Sequence, residues 1–199
     1  SLTRDNSKVQ EAIFSSLFPK HPYGTQTVLG TQENLKNPSI TNIKNYYKQW
    51  YVPNNMAICM SGDLDPDATI ALIDKYFGGL KPNPELPKLD LPKEAPITQP
   101  VEKEVLGPDA ESVALAWRFP GVSDKDFEIL QVVSQVLYNG KAGLIDLDLN
   151  QQQKVLNSYG YPMGLADYSA LLLGGLPKQG QTLEEVKDLL LSEIKKIRA

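Results

Sequence analysis

Histidine and cysteine each occur once in the 199 residues, as His21 and Cys59. Zinc sites draw on several such ligands, so this chain is not expected to hold a catalytic zinc alone. A Ser-His-Asp or Cys-His site would have to use His21 as its base. The single cysteine excludes an internal disulfide and a thiolate cluster. Long apolar runs are missing too: stretches such as Ala170 to Leu173 are far too short to span a bilayer. An excess of positive charge is also missing. The net charge of −4 argues against nucleic acid as the main partner. The opening Ser1 to Asp5 is polar, and no signal peptide is visible in it.

Apolar residues make up 41% of the chain, enough for one large core or two small ones. Val9, Ile13 and Leu17 predict a first helix, capped by Asn6 or Ser7 and broken by Pro19 and Pro22. Ser39 caps a second helix through Ile43, Tyr46, Tyr47 and Trp50. Met56 to Met60 reads as a buried strand. Asp65 caps a helix that starts at Pro66 and stops at Gly78-Gly79. Residues 81–100 hold six of the fifteen prolines and no glycine, which marks an extended, semi-rigid linker. Beyond it, Val101 to Leu106 and Ser112 to Phe119 read as paired strands. A helix capped by Ser123 and another over Leu144 to Lys154 come next. A Tyr-, Gly- and Pro-rich loop then leads to a strand over Ser169 to Leu173. The final helix opens on a capping box, Thr182 with Glu185. Strand, polar turn and capped helix thus occur on both sides of the linker.

Candidate chemistry is sparse. His21 lies between prolines without the i, i+4 partner of a helical zinc motif, and is expected to fix a turn. Asp63, Asp65 and Asp67 begin like a calcium loop, but Ala68 and Asp74 stand where that loop needs Gly and Glu. Asp146 and Asp148 would point about 200° apart on a helix, and are expected on a solvated face. Cys59, inside an apolar strand, is expected to be a buried, inert thiol. Gly78-Gly79 and Gly174-Gly175 lack the residues of a phosphate loop. Tyr46, Tyr47, Trp50 and Tyr51 are expected in packing. No catalytic, metal-binding or substrate-binding residue is assigned.

His21-Pro22-Tyr23-Gly24, Leu29-Gly30-Thr31, Tyr46-Tyr47 to Tyr51, Pro53-Asn54-Asn55-Met56 and Ser61-Gly62-Asp63 together resemble the M16 zinc metallopeptidases. That family includes pitrilysin, insulinase and the mitochondrial processing peptidases. Lys75-Tyr76-Phe77-Gly78-Gly79-Leu80 continues the match, as do Trp117, Val136-Leu137 and Gly143-Leu144. The resemblance implies an α+β fold: a two-layer α/β sandwich with a mixed, largely antiparallel sheet. It also implies two halves that close like a clam shell around a peptide. The family's His-x-x-Glu-His motif, which binds zinc and activates water, has no counterpart here. By the family pattern a later zinc-binding glutamate falls just upstream of Ser1. Active relatives carry an Arg and a Tyr near the zinc in their partner half; the matching positions here hold Asn150 and Asn157.

The resemblance therefore implies a non-catalytic segment, the M16 C-terminal-type module over residues 1–199. Lobes are expected at 1–80 and 101–199, joined by the strap at 81–100. The chain would be inactive alone, while its parent would be a zinc metalloendopeptidase with zinc in the intact enzyme and none in this chain. The alternative is a non-enzymatic M16-like structural or peptide-binding subunit beside an active partner. Expected partners are the remainder of the parent and a peptide or protein substrate. Uncovered apolar surface and sheet edges predict self-association of the isolated segment. Bacterial relatives make a periplasmic or otherwise exported setting an expectation.

Overall fold

The structure, a computed structural model, describes residues 5–27, 30 and 32–197. Leu29 and Thr31 of the resemblance, and Ser1 to Arg4, lie outside the described residues. The helices are α1 (Asp5–Leu17), α2 (Pro22–Thr25), α3 (Gln32–Lys36), α4 (Ile40–Trp50), α5 (Pro66–Phe77), α6 (Lys125–Leu137) and α7 (Leu183–Ile197). The strands are β1 (Val113–Pro120), β2 (Asn157–Gly164) and β3 (Tyr168–Leu176). A π-helical stretch, Asp146–Gln151, precedes β2. The chain divides into two compact units, residues 1–25 with 94–199, and residues 26–93.

The first unit is built on an antiparallel sheet of order β1-β3-β2. The central strand, Tyr-Ser-Ala-Leu-Leu-Leu-Gly-Gly-Leu, is apolar on both sides because both of its faces are covered. Leu171 and Leu173 pack with Leu130, Leu137, Ile145, Val186 and Leu190. Ala170 and Leu172 point the other way, to Leu17 and Phe18 at the end of α1. This alternation is the period-2 geometry of a strand. Trp117 stands opposite Leu171 and Leu115 opposite Leu173, so β1 adds to the first layer. The α+β class and the sandwich packing hold, and the sheet is antiparallel throughout.

The sequence reading and the structure part company at the start of α1, where Asn6 and Ser7 lie inside the helix rather than capping it, and at four further places in this unit. Residues 101–106 form no strand; β1 pairs with β3 instead, whose apolar side chains are buried on both faces. The Tyr-Gly-Pro stretch is strand β2, not loop, and Pro162 is tolerated because β2 is an edge. Asp124, not Ser123, caps α6, its side chain accepting from the Asp126 N–H. Asp146 is buried rather than solvated. Its Oδ2 accepts from the N–H groups of Asn139, Gly140 and Gly143, each at 3.0 Å. Gly140 (φ +79°) supplies the left-handed backbone that this loop needs.

The second unit has good local structure. Ser39 accepts from Asn42 N–H, and Asp65 accepts from Ala68 N–H at 2.8 Å, as expected. Asn54 and Asn83 clasp the two ends of the unit: Asn54 Nδ2 donates to Asn83 O at 2.7 Å, and Asn83 N donates to Asn54 Oδ1 at 2.9 Å. It lacks a core, since Val52 is its one buried apolar residue among those described. Met56 to Met60 is irregular and exposed, and no strand among the described residues accepts its backbone. Cys59 is exposed with it. Tyr46, Tyr47 and Tyr51 are exposed as well; Tyr47 stacks on Tyr51 at 4.6 Å between ring centres.

Candidate functional site

His21 sits where the chain turns from α1 to α2, between two prolines that forbid a continuous helix. Gly24 is required there, since a Cβ would lie 2.2 Å from Phe18 O. His21 is 1% exposed and ringed by Phe18, Tyr23 and Tyr168. The Tyr23 N–H donates to His21 Nδ1 at 3.3 Å, the backbone bond that fixes the turn. With Nδ1 accepting, a neutral ring carries its proton on Nε2. That atom has no hydrogen-bond partner and lies 3.6 Å from Asp167 Oδ2. Tyr23 Oη donates to the same carboxylate at 3.1 Å.

Glu94, within the proline-rich stretch, closes this turn. Its Oε1 accepts from Lys20 N–H and His21 N–H, both at 2.7 Å. Its own N–H donates to Tyr168 Oη at 2.8 Å. Arg118 of β1 lies 3.8 Å from Glu94 Oε2 and donates to Leu17 O and Ala95 O. The guanidinium thus caps the C-terminal end of α1, whose last carbonyls have no helical partner. Both side chains are almost wholly buried. Their donors and acceptors are spent on backbone, so the cluster is a clasp between α1 and the sheet.

This donor set does not fit a zinc ion. Zinc needs three or four ligands at about 2.0–2.3 Å. Here one imidazole nitrogen faces one carboxylate at 3.6 Å, and Glu94 is turned to backbone N–H groups. Among the described residues no group of three or more His, Cys, Asp or Glu is arranged to hold a metal. Nor does His21 face a serine or cysteine hydroxyl or thiol that it could activate; its ring neighbours are aromatic.

Asn150 and Asn157 occupy different settings. Asn150 grips β2: its Nδ2 donates to Ser158 O and its Oδ1 accepts from Ser158 N–H, both at 2.8 Å. The side-chain amide therefore sits on the outer edge of β2 as a neighbouring strand's peptide would. Two residues on from Gly160, Pro162 offers no N–H to the same edge. Asn157 is exposed at the start of the strand. Lys196 of α7 ties the π-helical stretch down, donating to Asp148 at 2.6 Å and to both oxygens of the buried Glu193. That bond holds the Asp148 carboxyl below its ordinary value and raises the Lys196 ammonium. The clasp and the Asn150 grip were not legible in the sequence. The clasp's partners are many residues apart, 73 in the case of His21 and Glu94, while Asn150 and Ser158 are eight apart but no helix or strand period links them.

Two apolar cavities lie among the described residues. One, of about 320 Å³ in the first unit, lies between α6, α7 and the sheet, with Asp126 as its only charged wall. The other, of about 290 Å³ in the second unit, is lined by Pro53, Met56, Ile58, Ile73, Phe77 and Leu80. No helix among the described residues is long and apolar enough to cross a membrane.

Residues 39–199 match the family model described as the peptidase M16 inactive domain. Over 193 residues the chain is 28% identical to the zinc protease PqqE of Helicobacter pylori, covering 92% of this chain and 43% of that protein. The crystal structure of a protease from Helicobacter pylori shares the fold at TM-score 0.76 and 23% identity, over 96% of this chain and 47% of that one. The first half of the periplasmic protease PqqL from Escherichia coli does so at TM-score 0.55 and 17% identity, over 97% and 47%. The chain thus spans less than half the length of these relatives. It belongs to the M16 peptidase family, and residues 39–199 correspond to that family's inactive domain.

Proposed function

We propose that this chain is the non-catalytic segment of an M16 zinc metallopeptidase, part of the wall of a chamber that encloses a peptide. The observation that carries this reading is the match to the inactive domain in a chain whose one histidine is committed to a turn. Hydrolysis of the peptide bond, and the zinc that supports it, belong to the intact parent. On this reading residues 1–80 and 101–199 are partial lobes of the parent, and 81–100 is the strap between them.

The segment's own contribution is positioning. Strand addition is the general way in which a sheet edge holds an extended peptide. The β2 edge is closed by the Asn150 amide and by Pro162, which leaves β1 as the edge that accepts a strand. The likeness to a periplasmic protease supports an exported setting for the parent.

Zinc content after dialysis and cleavage of a mixed peptide substrate are the measurements that test this. The chain is expected to carry no stoichiometric zinc and to cleave nothing; tight zinc or true hydrolysis overturns the reading. Reading the parent's full sequence for His-x-x-Glu-His then separates a protease from a non-enzymatic M16-like subunit.

A further inference from the structure

The loop after α6 holds the chain's single Asn-Gly pair, Asn139-Gly140, and both residues are exposed. In such a pair the side-chain amide is open to its own backbone, because glycine has no Cβ to block the approach. The Gly140 nitrogen bonds to Asn139 Cγ, a five-membered succinimide closes, and the side-chain nitrogen leaves as ammonia with the proton that Gly140 lost. Water then opens the ring, giving aspartate, or isoaspartate in which the main chain runs through the side-chain carbon. Nothing is oxidised or reduced. The first step needs the Gly140 N–H proton removed and the Asn139 amide free to turn.

The structure opposes both requirements. Gly140 N–H donates to Asp146 Oδ2 at 3.0 Å, and that buried carboxylate also accepts from Asn139 N–H and Gly143 N–H. A carboxylate is far too weak a base to remove an amide proton. Its negative charge instead disfavours the hydroxide that could remove it and the amide anion that would form beside it. The Asn139 side chain is held at both ends. Its Oδ1 accepts from Lys141 N–H and Ala142 N–H, and its Nδ2 donates to Gln135 O, each at 3.0 Å. We propose that Asn139-Gly140 is a deamidation site that Asp146 keeps shut, and that its modification opens the loop in one direction only. Aspartate at position 139 has no N–H for Gln135 O, and adds a second carboxylate to a loop that already encloses one. Isoaspartate lengthens the main chain by one carbon between the two N–H groups that converge on Asp146 Oδ2. Every group involved lies within residues 135–146 of the first unit, so the inference stands apart from the peptide-positioning reading.

Peptide mapping by mass spectrometry, after incubation of the whole chain in mildly alkaline buffer, reads the change at Asn139 directly. A synthetic peptide of residues 135–143 supplies the unrestrained rate. Asn139 in the folded chain is expected to react about tenfold more slowly than in the peptide, or slower still. Asp146→Asn keeps an oxygen for the three N–H groups but removes the charge, and is expected to raise the rate at Asn139 several-fold. Far-UV circular dichroism and slow exchange of the Leu173 amide check that this variant stays folded. The comparison of chain with peptide needs no variant, and decides the matter if Asp146→Asn does not fold. Asn139→Asp stands in for the product, and is expected to speed exchange of the Gly140 and Gly143 amides while β3 stays protected. Reaction at Asn139 as fast in the folded chain as in the peptide overturns the proposal. So does a folded Asp146→Asn variant with an unchanged rate, or an Asn139→Asp loop as protected as the original.

Discussion

Residues 94–199, with 5–25, enclose a sheet between helices on both faces, whereas residues 26–93 hold well-capped helices around almost nothing. Local signals are equally good in the two. Asp65 caps α5 as well as Thr182 and Glu185 box the start of α7. The difference lies in what the apolar side chains meet. Leu171 and Leu173 find α6 and α7, while Ile70 and Tyr76 of α5 remain 63% and 68% exposed. Helical propensity and capping thus set where an element forms, but tertiary burial supplies most of its stability.

The sharpest test of that contrast is a matched pair of truncations followed by urea unfolding. Leu173→Ala, in the packed sheet, is expected to cost about 3–5 kcal/mol through lost transfer energy and a cavity. Ile70→Ala, on the uncovered face, is expected to change stability by less than about 0.5 kcal/mol. Equal effects would break the comparison. Glu94→Ala comes next: it leaves the buried Arg118 unpaired and strips the acceptor from two N–H groups, for an expected loss of about 3 kcal/mol. The exposed Asn54–Asn83 clasp of the second unit should cost about 1 kcal/mol when cut by Asn54→Ala.

Of similar size is Asn150→Ala, which frees the Ser158 backbone. About 1–2 kcal/mol is expected, together with faster exchange of the Ser158 amide. The smallest effect is on pH. Lys196 lowers the Asp148 carboxyl, and backbone and hydroxyl bonds from Thr182 lower Glu185. A carboxyl whose folded value is depressed stabilises above its ordinary value, near pH 4, and that contribution is lost as pH falls through the folded value. The first unit should therefore lose stability on acidification below about pH 4, and Asp148→Asn should flatten that slope. Acid unfolding curves of the two proteins check this.

The sequence was legible where the determinants were local or periodic. The caps at Ser39 and Asp65, the box at Thr182 and Glu185, and the apolar runs of β1, α6 and β3 all stand where their patterns put them. The M16 match rested on such short stretches too. It failed where a distant partner decides. Met56 to Met60 has a strand's composition, yet a strand exists only with a neighbour. Val101 to Leu106 alternates, yet β3 is the partner that β1 takes. Asp146 lost its solvated setting to three backbone N–H groups across a loop. Asn150, set against the family's arginine and tyrosine pair, turned out to hold the backbone of Ser158. The Glu94–Arg118 clasp joins the linker to β1 and α1, and no spacing rule connects those positions.

Hydrogen exchange resolved along the whole chain tests the central contrast most directly, performed at a concentration low enough to keep copies apart. The account predicts slow exchange across β3, α6 and α7, and near-unprotected exchange across α4, α5 and residues 56–60. Protection of α4 and α5 equal to that of β3 in the dilute chain would contradict it.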